Sequence, residues 1–317
     1  MTDVVTLGEL LIDFVPTVSG VTLLEAPAFK KAAGGAPANV AAGLAKLGIS
    51  CSFFGKVGDD AFGHFLQQTL DDVGVDTSSL VFSTQARTAL AFVSLTAEGE
   101  REFMFYRHPS ADMLYSPEEV AYEHLKTAKI FHFGSISLIS EPSRSATLAA
   151  LATARENGIF VSYDPNLRLA LWPDAAAAKS GMMSVWDNAD IIKVSGDELE
   201  FLTGLSEIEQ AVKALWTDNL RLMVVTLGKT GCAYFTAKFH GEVAGFQVTP
   251  VDTTGAGDGF VAGLLKGLLT YPQAWHDEAQ LRKACCLANV VGALTTTARG
   301  AIPALPTLEQ VNSFLAK

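Results

Sequence analysis

The sequence lacks any run approaching the roughly 18 consecutive apolar residues that a membrane-spanning helix needs. Its N-terminus, MTDVVTLGEL, also lacks the basic and apolar segments of a secretory signal. Basic side chains are few, 23 against 34 acidic ones, and the formal net charge is −11. We therefore expect a cytoplasmic protein without membrane contact, and the negative charge argues against general binding to nucleic acid.

Cysteine and histidine are scarce and show no metal-ligand spacing. The four cysteines are Cys51, Cys232, Cys285 and Cys286, and the last two lie in an apolar helical pattern. A buried pair of reduced thiols in a reducing compartment fits this setting better than a disulfide. The sequence contains no GxSxG or HExxH motif, and its six histidines have no evident nucleophile partner, so we assign them no catalytic role.

Short apolar runs alternate with helical patterns along most of the chain. The runs are rich in Val, Ile and Phe and are typical of buried strands: DVVTLGEL, CSFFGKVG, KIFHFGSIS, IFVSYDPN, ADIIKVS and RLMVVTLG. Helical patterns cover 37–48 and roughly 60–73, 141–157, 174–188, 208–217, 277–294 and 307–316. This alternation predicts an α/β fold with a mostly parallel central sheet and helices on both faces.

Residues 11–26 and 80–107 break the alternation, because they contain strand patterns with no helix between them. Within the second segment, Glu98-Gly99 is a hairpin-turn signal. We expect these segments to form a small antiparallel sheet that projects from the core of a single domain spanning 1–317.

Two familiar phosphate-binding motifs are excluded by single positions. TLGKTG (226–231) resembles the end of a Walker A loop, but the glycine that the motif requires earlier is Met223. GAGDGF begins like a dinucleotide-binding fingerprint, but its third glycine position is Phe260. The sequence therefore favours neither a P-loop enzyme nor a Rossmann-type dehydrogenase.

The stretch VDTTGAGDGFVAGLL (251–265) places glycines at the start of an apolar helix. Free backbone N–H groups and the helix dipole make such a start an anion site. Asp258 has two interpretations at this point, a residue that caps the helix or an acid with a chemical role. A second acid, Asp252, and the carbonyl-rich stretch TTTARGAIPALP would suit a cation as well as a turn.

A second glycine-rich stretch, AAGGAPANVAAGLAKLG, also leads into a helix. Gly34 and Gly35 allow the backbone to lie close against a ligand, and Asn39 offers donors and an acceptor suited to hydroxyl groups. An ordinary turn with Asn near the helix start is an equal alternative. Asp13, just beyond the first strand, is either a ligand group or a turn residue.

Polar side chains follow two more predicted strands. Asp164, Asn166 and Arg168 lie in SYDPNLRLALWP, where the arginine suits bidentate contact with phosphate or a surface pair with the aspartate. Lys193 and Glu198 lie at the end of another strand, and residues of a solvated helix are the alternative interpretation.

Taken together, these motifs resemble a known family. GGAPANVAAGLAKLG is similar to the N-terminal signature, and DTTGAGDGFVAGLL to the C-terminal signature, of the ribokinase-like (phosphofructokinase B-type) carbohydrate kinases. The resemblance runs nearly end to end, and RTALAFVSL, GEREFMFYRHPSADM, FHFGSISLI, SYDPNLRLALWP and RGAIPALPT are similar to fructokinases of the plant and bacterial type. It implies a ribokinase-like fold with a small β-sheet lid, and phosphorylation of D-fructose by ATP to D-fructose 6-phosphate.

The resemblance also implies roles for single residues. Asp258 would take the proton from the sugar 6-hydroxyl as the general base, and Gly255, Ala256 and Gly257 would form an anion hole for the transferring phosphoryl group. The sugar-binding residues that it implies are Asp13, Gly34, Gly35, Asn39, Phe103, Arg107 and Asp258.

For the nucleotide, the resemblance implies contacts from Asn166, Arg168, Lys193, Ser195, Thr226, Gly228, Gly231, Gly257 and Asn289, with Asp164 in a segment flanking the phosphates. It implies Mg²⁺ with ATP, linked through water to Glu198, and a monovalent cation, K⁺, at Asp252, Thr254 and Gly300. The ribokinase branch has Asn-x-x-Glu where this chain has Ser195 and Glu198. Fructokinase-like members also carry Ser there, so the departure indicates the subfamily.

Two alternatives stay open at this point. The chain could phosphorylate another small polyol such as 2-keto-3-deoxygluconate, ribose or a nucleoside. It could also be a non-catalytic sugar or nucleotide sensor, although binding alone does not require an acid at position 258.

The lid strands would expose apolar residues and strand edges, which favours a homodimer formed through the lids.

Overall fold

Alternating strands and helices, in the order the sequence predicts, build most of the fold. The computed structural model describes residues 2–18, 20–95 and 101–316, and for Leu95 and residues 101–103 it describes the backbone alone. In chain order the strands are β1 (Val4–Leu7), β2 (Leu11–Pro16), β3 (Phe29–Gly34), β4 (Cys51–Gly58), β5 (Leu80–Ser83), β6 (Leu90–Leu95), β7 (Arg101–Tyr106), β8 (Ile130–Gly134), β9 (Phe160–Asp164), β10 (Ile191–Ser195), β11 (Leu222–Thr226), β12 (Gly231–Phe235) and β13 (His240–Ala244). The helices are α1 (Ala36–Lys46), α2 (Ala61–Asp72), α3 (Tyr122–Leu125), α4 (Ser143–Glu156), α5 (Ala175–Met183), α6 (Gly196–Thr203), α7 (Ile208–Leu215), α8 (Ala256–Thr270), α9 (Glu278–Thr295) and α10 (Leu308–Leu315).

The large sheet has the strand order β13-β12-β11-β10-β9-β8-β1-β4-β5. The strands from β11 to β5 in this order pair in parallel, and β12 and β13 continue the sheet as an antiparallel hairpin. The register places Gly134 opposite Asp164 and Ser195 opposite Thr226. Polar residues that are far apart in the chain therefore meet at the carboxyl edge of the sheet.

Helices cover both faces of the large sheet, as the sequence predicts. Alternate residues of each strand point to opposite faces, so Val4 packs with residues of α1, α8 and α9 while Val5 packs with residues of α4, α5 and α6. Both strand residues are fully buried. The apolar layer that contains Val4 holds α1 and α8 against the sheet.

A second, four-stranded sheet has the order β3-β2-β6-β7 and is called the small sheet below. Its hairpins β2-β3 and β6-β7 are antiparallel, as predicted, but β2 and β6 pair in parallel, so the sheet is mixed. A parallel pair is possible here because β2 and β6 come from distant segments and are not joined by a tight turn. The expected turn at Glu98-Gly99 lies outside the described residues.

The boundaries of the small sheet also differ from the segments 11–26 and 80–107. β3 belongs to the small sheet, although its sequence FKKAAG carries two lysines and lacks a strand's apolar pattern. β5 pairs in parallel with β4 and belongs to the large sheet, because β4, α2 and β5 form an ordinary strand–helix–strand unit. The sequence predicts no bounds for α6, and α3 and the β12-β13 hairpin are not predicted at all.

The four cysteines are free thiols, and Cys51, Cys232 and Cys285 are buried. Among the described helices, none has the length and apolar composition that crossing a bilayer requires.

Candidate active site

The beginning of α8 forms the floor of the site at the carboxyl edge of the large sheet. The residue that precedes the helix is Gly255, in the left-handed region with φ 77°, and a Cβ there would lie 2.9 Å from the Ala301 Cβ. Both the backbone angle and the lack of space therefore require glycine. The first turn of a helix leaves backbone N–H groups without intrahelical partners, which makes this start a site for an anion.

Asp258 is the third residue of α8, and no side chain caps the helix. The capping interpretation of Asp258 is therefore wrong. Its carboxylate accepts a hydrogen bond from Asn39 Nδ2 at 2.7 Å, across 219 positions of sequence. Burial raises the pKa of Asp258, while the Asn39 hydrogen bond and the charges of Arg168 and Lys193 oppose that shift.

Asn39 is 5% exposed, and its Oδ1 has no hydrogen-bond partner among the described residues. A buried acceptor without a partner costs free energy. A ligand hydroxyl donating to Oδ1 would remove that cost at a point beside the Asp258 carboxylate. The site therefore has the groups to bind a polyol and to remove a proton from it.

The glycine pair before α1 brings Asn39 and Asp13 to this point. Gly35 has φ 108°, and a Cβ there would lie 2.3 Å from the Glu9 carbonyl oxygen. A Cβ at Gly34 would lie 2.1 Å from Asp13 Oδ2, so only glycine leaves room for this carboxylate. The two glycines are thus required by the close approach of other protein atoms, whereas the sequence suggested either close approach to a ligand or an ordinary turn.

Asp13 lies in β2 and is partly buried. Burial raises its pKa to about 7, with smaller contributions from the charges of Arg168, which lowers it, and of Asp258 and Asp252, which raise it. These electrostatic interactions place Asp13 and Arg168 in the neighbourhood of Asp258.

Lys193 and Asp164 form a buried ion pair below the first turn of α8. The distance from Lys193 Nζ to Asp164 Oδ2 is 3.1 Å, and both side chains are less than a tenth exposed. Nζ lies 3.3 Å from the position of a Cβ at Gly257, so the ammonium group adjoins the anion site. Burial alone would lower the pKa of Lys193, but the carboxylates of Asp164 and Glu198 outweigh it and raise the pKa. Because Lys193 is buried, its interpretation as a residue of a solvated helix is wrong.

The segment after β9 is held by Glu198 of α6. Glu198 Oε1 accepts from the Leu167 N–H at 2.7 Å, and Oε2 accepts from the Ser195 N–H at 2.8 Å. Asn166 is in the left-handed region with φ 46°, a conformation that Asn tolerates better than most residues. Asp164 pairs with Lys193, and among the described residues no ion pair joins it to Arg168, so the predicted surface pair does not form.

The predicted nucleotide-binding turn follows β11. Gly228 and Gly231 both have positive φ, and a Cβ at Gly231 would lie 2.1 Å from the Val243 carbonyl oxygen. Thr226 lies beside Ser195 in the sheet register. Asn289 donates through Nδ2 to the carbonyls of Val243 and Ala244, so it ties α9 to β13 at the edge of this turn.

The residues expected to bind a monovalent cation connect two loops through hydrogen bonds. Asp252 Oδ1 accepts from the N–H and the hydroxyl of Thr254 at 2.9 and 2.7 Å, and Oδ2 accepts from the Gly300 N–H at 2.9 Å. Within the described residues there is no group of three or more His, Cys, Asp or Glu side chains placed to hold a metal.

Arg107 lies just after β7 and is buried against Asp112, with Nε 3.1 Å from Asp112 Oδ2. Its charge also acts on Glu9. The side chain of Phe103 lies outside the described part of the structure. Sequence analysis missed Glu9 and Asp112, although Glu9 directly follows the first strand and its glycine, which is a position where ligand groups collect.

Comparisons with known proteins show the family of the chain. The model of the pfkB family of carbohydrate kinases matches residues 1–308. The chain is 56% identical to a probable fructokinase-3 of Arabidopsis thaliana, covering 98% of this chain and 91% of that protein. It is 55% identical to fructokinase-2 of Solanum lycopersicum, covering 98% of this chain and 95% of that protein.

Solved structures of similar proteins give the same result. A fructokinase of Vibrio cholerae with fructose, ADP and calcium bound is 40% identical, with a TM-score of 0.90 and 99% of both chains covered. A double mutant of that fructokinase with fructose, ADP and potassium is 39% identical, with a TM-score of 0.88, and covers 99% of this chain and 98% of that one. A fructokinase of Xylella fastidiosa with ATP bound is 34% identical, with a TM-score of 0.91, and covers 100% of this chain and 99% of that one.

Proposed function

Because the chain belongs to the pfkB family of carbohydrate kinases, we propose that it transfers the γ-phosphoryl group of ATP to the 6-hydroxyl of D-fructose. The products are D-fructose 6-phosphate and ADP. The observation that carries the proposal is the Asn39–Asp258 pair, which presents a buried carboxylate and an unpaired acceptor beside the start of α8.

Asn39, Asp13, Gly34 and Gly35 form the sugar side of the proposed site. Asn39 Oδ1 accepts a hydrogen bond from a sugar hydroxyl, and Gly34, without a Cβ, leaves room for the Asp13 carboxylate. The 6-hydroxyl then lies against Asp258. We further assign Arg107 and Phe103 to this side, at the edge nearest the small sheet.

Proton transfer to Asp258 makes the hydroxyl oxygen a nucleophile. As this oxygen forms its bond to the γ-phosphorus, the bond to the bridging oxygen of ADP breaks, and Asp258 holds the proton. Because burial raises the pKa of Asp258, its carboxylate is a stronger base than that of an exposed aspartate.

Positive charge and backbone donors stabilise the transferring phosphoryl group. The N–H groups of the Gly255–Gly257 turn bind its oxygens, with Lys193 beside them and the positive charge of Arg168 acting on Asp258. These groups offset the repulsion that a chain of net charge −11 would exert on ATP. Asn166, Ser195, Thr226, Gly228, Gly231 and Asn289 form the remainder of the proposed nucleotide site.

The ATP substrate carries Mg²⁺ in this proposal, and Glu198 binds it through water. Each Glu198 oxygen accepts one backbone N–H and keeps a lone pair, and oxygen is the ligand that Mg²⁺ prefers. For K⁺ we propose the loop fastened by Asp252, with Thr254 and Gly300, because these residues carry carboxylate, hydroxyl and carbonyl oxygens, the ligand type that hard cations take. The Vibrio cholerae fructokinase structure with potassium bound supports the choice of this ion.

The small sheet is proposed to act as a lid over the sugar, which would exclude water and limit ATP hydrolysis. Its exposed large apolar side chains include Val15, Met104 and Tyr106, which are 37%, 43% and 56% exposed. We propose that two such sheets pair in a homodimer, and a monomeric mass by light scattering at working concentration would overturn this. The free buried thiols fit a reducing compartment, and we propose the cytoplasm.

The test is ADP release measured with fructose, ribose, 2-keto-3-deoxygluconate and a nucleoside, each with K⁺ or Na⁺. We expect the highest kcat/KM with fructose and a higher rate with K⁺. ³¹P NMR of the product should show a phosphate ester at carbon 6. Failure to release ADP with every acceptor would overturn the kinase proposal, and preference for another acceptor would overturn fructose.

A further inference from the structure

Glu9 is a buried acid that the mechanism above does not use. It directly follows Gly8 at the end of β1, and its side chain is 3% exposed in total. Its Oε1 accepts a hydrogen bond from the Ala36 N–H at 2.8 Å. Ala36 is the first residue of α1, so this carboxylate supplies a partner for a donor that the helix itself leaves free.

The hydrogen bond from Ala36 bears directly on the position of Asn39. Gly35, which precedes α1, lies against the Glu9 backbone, and the Asn39 N–H donates to the Gly35 carbonyl at 2.9 Å. Pro37 has no N–H, which leaves few donors in this turn that could anchor it otherwise. Glu9 therefore holds the turn from which Asn39 reaches Asp258.

The other side of Glu9 faces the base of the small sheet. The guanidinium of Arg107, which follows β7, and the carboxylate of Asp112 both act electrostatically on Glu9. Burial raises the pKa of Glu9 to about 7, against the opposing effect of two backbone N–H groups and Arg107. Ala111 also donates to the Arg87 carbonyl at 2.8 Å, which ties this cluster to the chain entering β6.

The space around Glu9 excludes a ligand-binding role for it. The adjoining cavity is lined by Glu9, Asp112, Tyr115 and Ser137, among others, and has a volume of about 10 Å³. That is about the volume required for one water molecule and far below that required for a sugar or a phosphate. Whatever Glu9 contributes to the reaction must therefore act through the groups that it holds.

We propose that Glu9 is a positioning residue for the sugar side of the site. Its hydrogen bond from the Ala36 N–H holds the turn that places Asn39 against Asp258. Its interaction with Arg107 connects the same turn to the base of the small sheet. The inference rests on the proposed function. It predicts an effect on fructose and not on ATP, because the nucleotide residues lie on other strands.

The experiment compares Glu9→Asp and Glu9→Gln with the wild type. Aspartate keeps the charge but is one methylene too short to reach the Ala36 N–H, whereas glutamine keeps the reach and the acceptor. We expect Glu9→Asp to lower kcat/KM for fructose by at least about tenfold, as for a lost hydrogen bond to a charged group. The KM for ATP should change by less than about twofold, and Glu9→Gln should retain most of the fructose activity.

Asp190→Ala is the matched control. Asp190 is also a buried acid that accepts a hydrogen bond from a backbone N–H, that of Val161 at 2.9 Å. It precedes β10, however, so it lies at the amino ends of the parallel strands, away from the site. The substitution should lower the melting temperature without changing the KM for fructose. The positioning role is overturned if Glu9→Gln is as defective as Glu9→Asp, or if Glu9→Asp behaves like Asp190→Ala. A wild type that does not phosphorylate fructose would instead overturn the proposed function.

Discussion

Replacing Asp258 by asparagine tests the general base with little change of shape. The new amide has the size of the carboxylate, and its oxygen can still accept from Asn39 Nδ2, which now lies at 2.7 Å from Asp258 Oδ2. The hydrogen bond that places residue 258 is therefore retained, and only the ability to take a proton is lost.

The expected loss of kcat is that of the general base alone, because the hydrogen bond from Asn39 is kept. A positioned general base contributes about 10²- to 10⁴-fold to the rate, which corresponds to about 2.7–5.4 kcal/mol in the activation free energy. We expect Asp258→Asn to lower kcat by at least about 10²-fold. The KM for fructose should change by less than about threefold, because one hydrogen bond between neutral groups contributes only about 1 kcal/mol.

The assay is ADP release at saturating ATP over a range of fructose concentrations. The control is Asp277→Asn, because Asp277 caps α9 at a partly buried position and asparagine caps helices equally well. It should leave kcat unchanged. An Asp258→Asn enzyme with kcat within about threefold of the wild type would refute the assignment, since general-base catalysis cannot survive loss of the base.

Three further predictions follow from distances and charges in the site. Gly34→Ala should raise the KM for fructose and leave the KM for ATP unchanged, because a Cβ would lie 2.1 Å from Asp13 Oδ2; equal effects on both substrates would contradict this. Lys193→Met should lower kcat and leave Asp164 buried without its partner, so the additional substitution Asp164→Asn should recover melting temperature but not activity. Asp13→Asn should be inactive or weakly active yet more heat-stable than the wild type at pH 8, with a smaller difference at pH 5. The folded-state pKa of Asp13 is raised to about 7, so its ionisation costs stability progressively as pH rises from about 4 through 7, and calorimetry at both pH values checks the sign.

The role of Asp258 at the start of α8 could not be settled from the local sequence. From sequence, Asp258 could have been a helix cap, since acids are common at that position. Which residue caps a helix depends on where the backbone enters it, and here Gly255, with its positive φ, takes that place. The resemblance to a kinase family had implied the catalytic role, but the excluded cap and the Asn39 contact came from the structure.

The same limit applies to Lys193 and to the small sheet. A single Lys near the end of a strand is typically exposed to solvent, and the burial of Lys193 is evident only from its ion pair with Asp164 of the neighbouring strand. The parallel pairing of β2 with β6, and the place of β5 in the large sheet, depend on which segments meet in space. Neither of these strand pairings can be predicted from the local pattern of apolar residues.

The sequence by itself determined the order of strands and helices in most of the large sheet, the glycine-led starts of α1 and α8, and the absence of P-loop and dinucleotide fingerprints. These features depend on contacts within a few residues, on apolar periodicity and on the conformational freedom of glycine. The tertiary structure alone decided that Asn39 donates to Asp258, that Lys193 pairs with Asp164, and that Glu9 holds the turn before Asn39. Those contacts join residues separated by 27 to 219 positions, so they exist only because packing brings the carboxyl ends of separate strands to one edge.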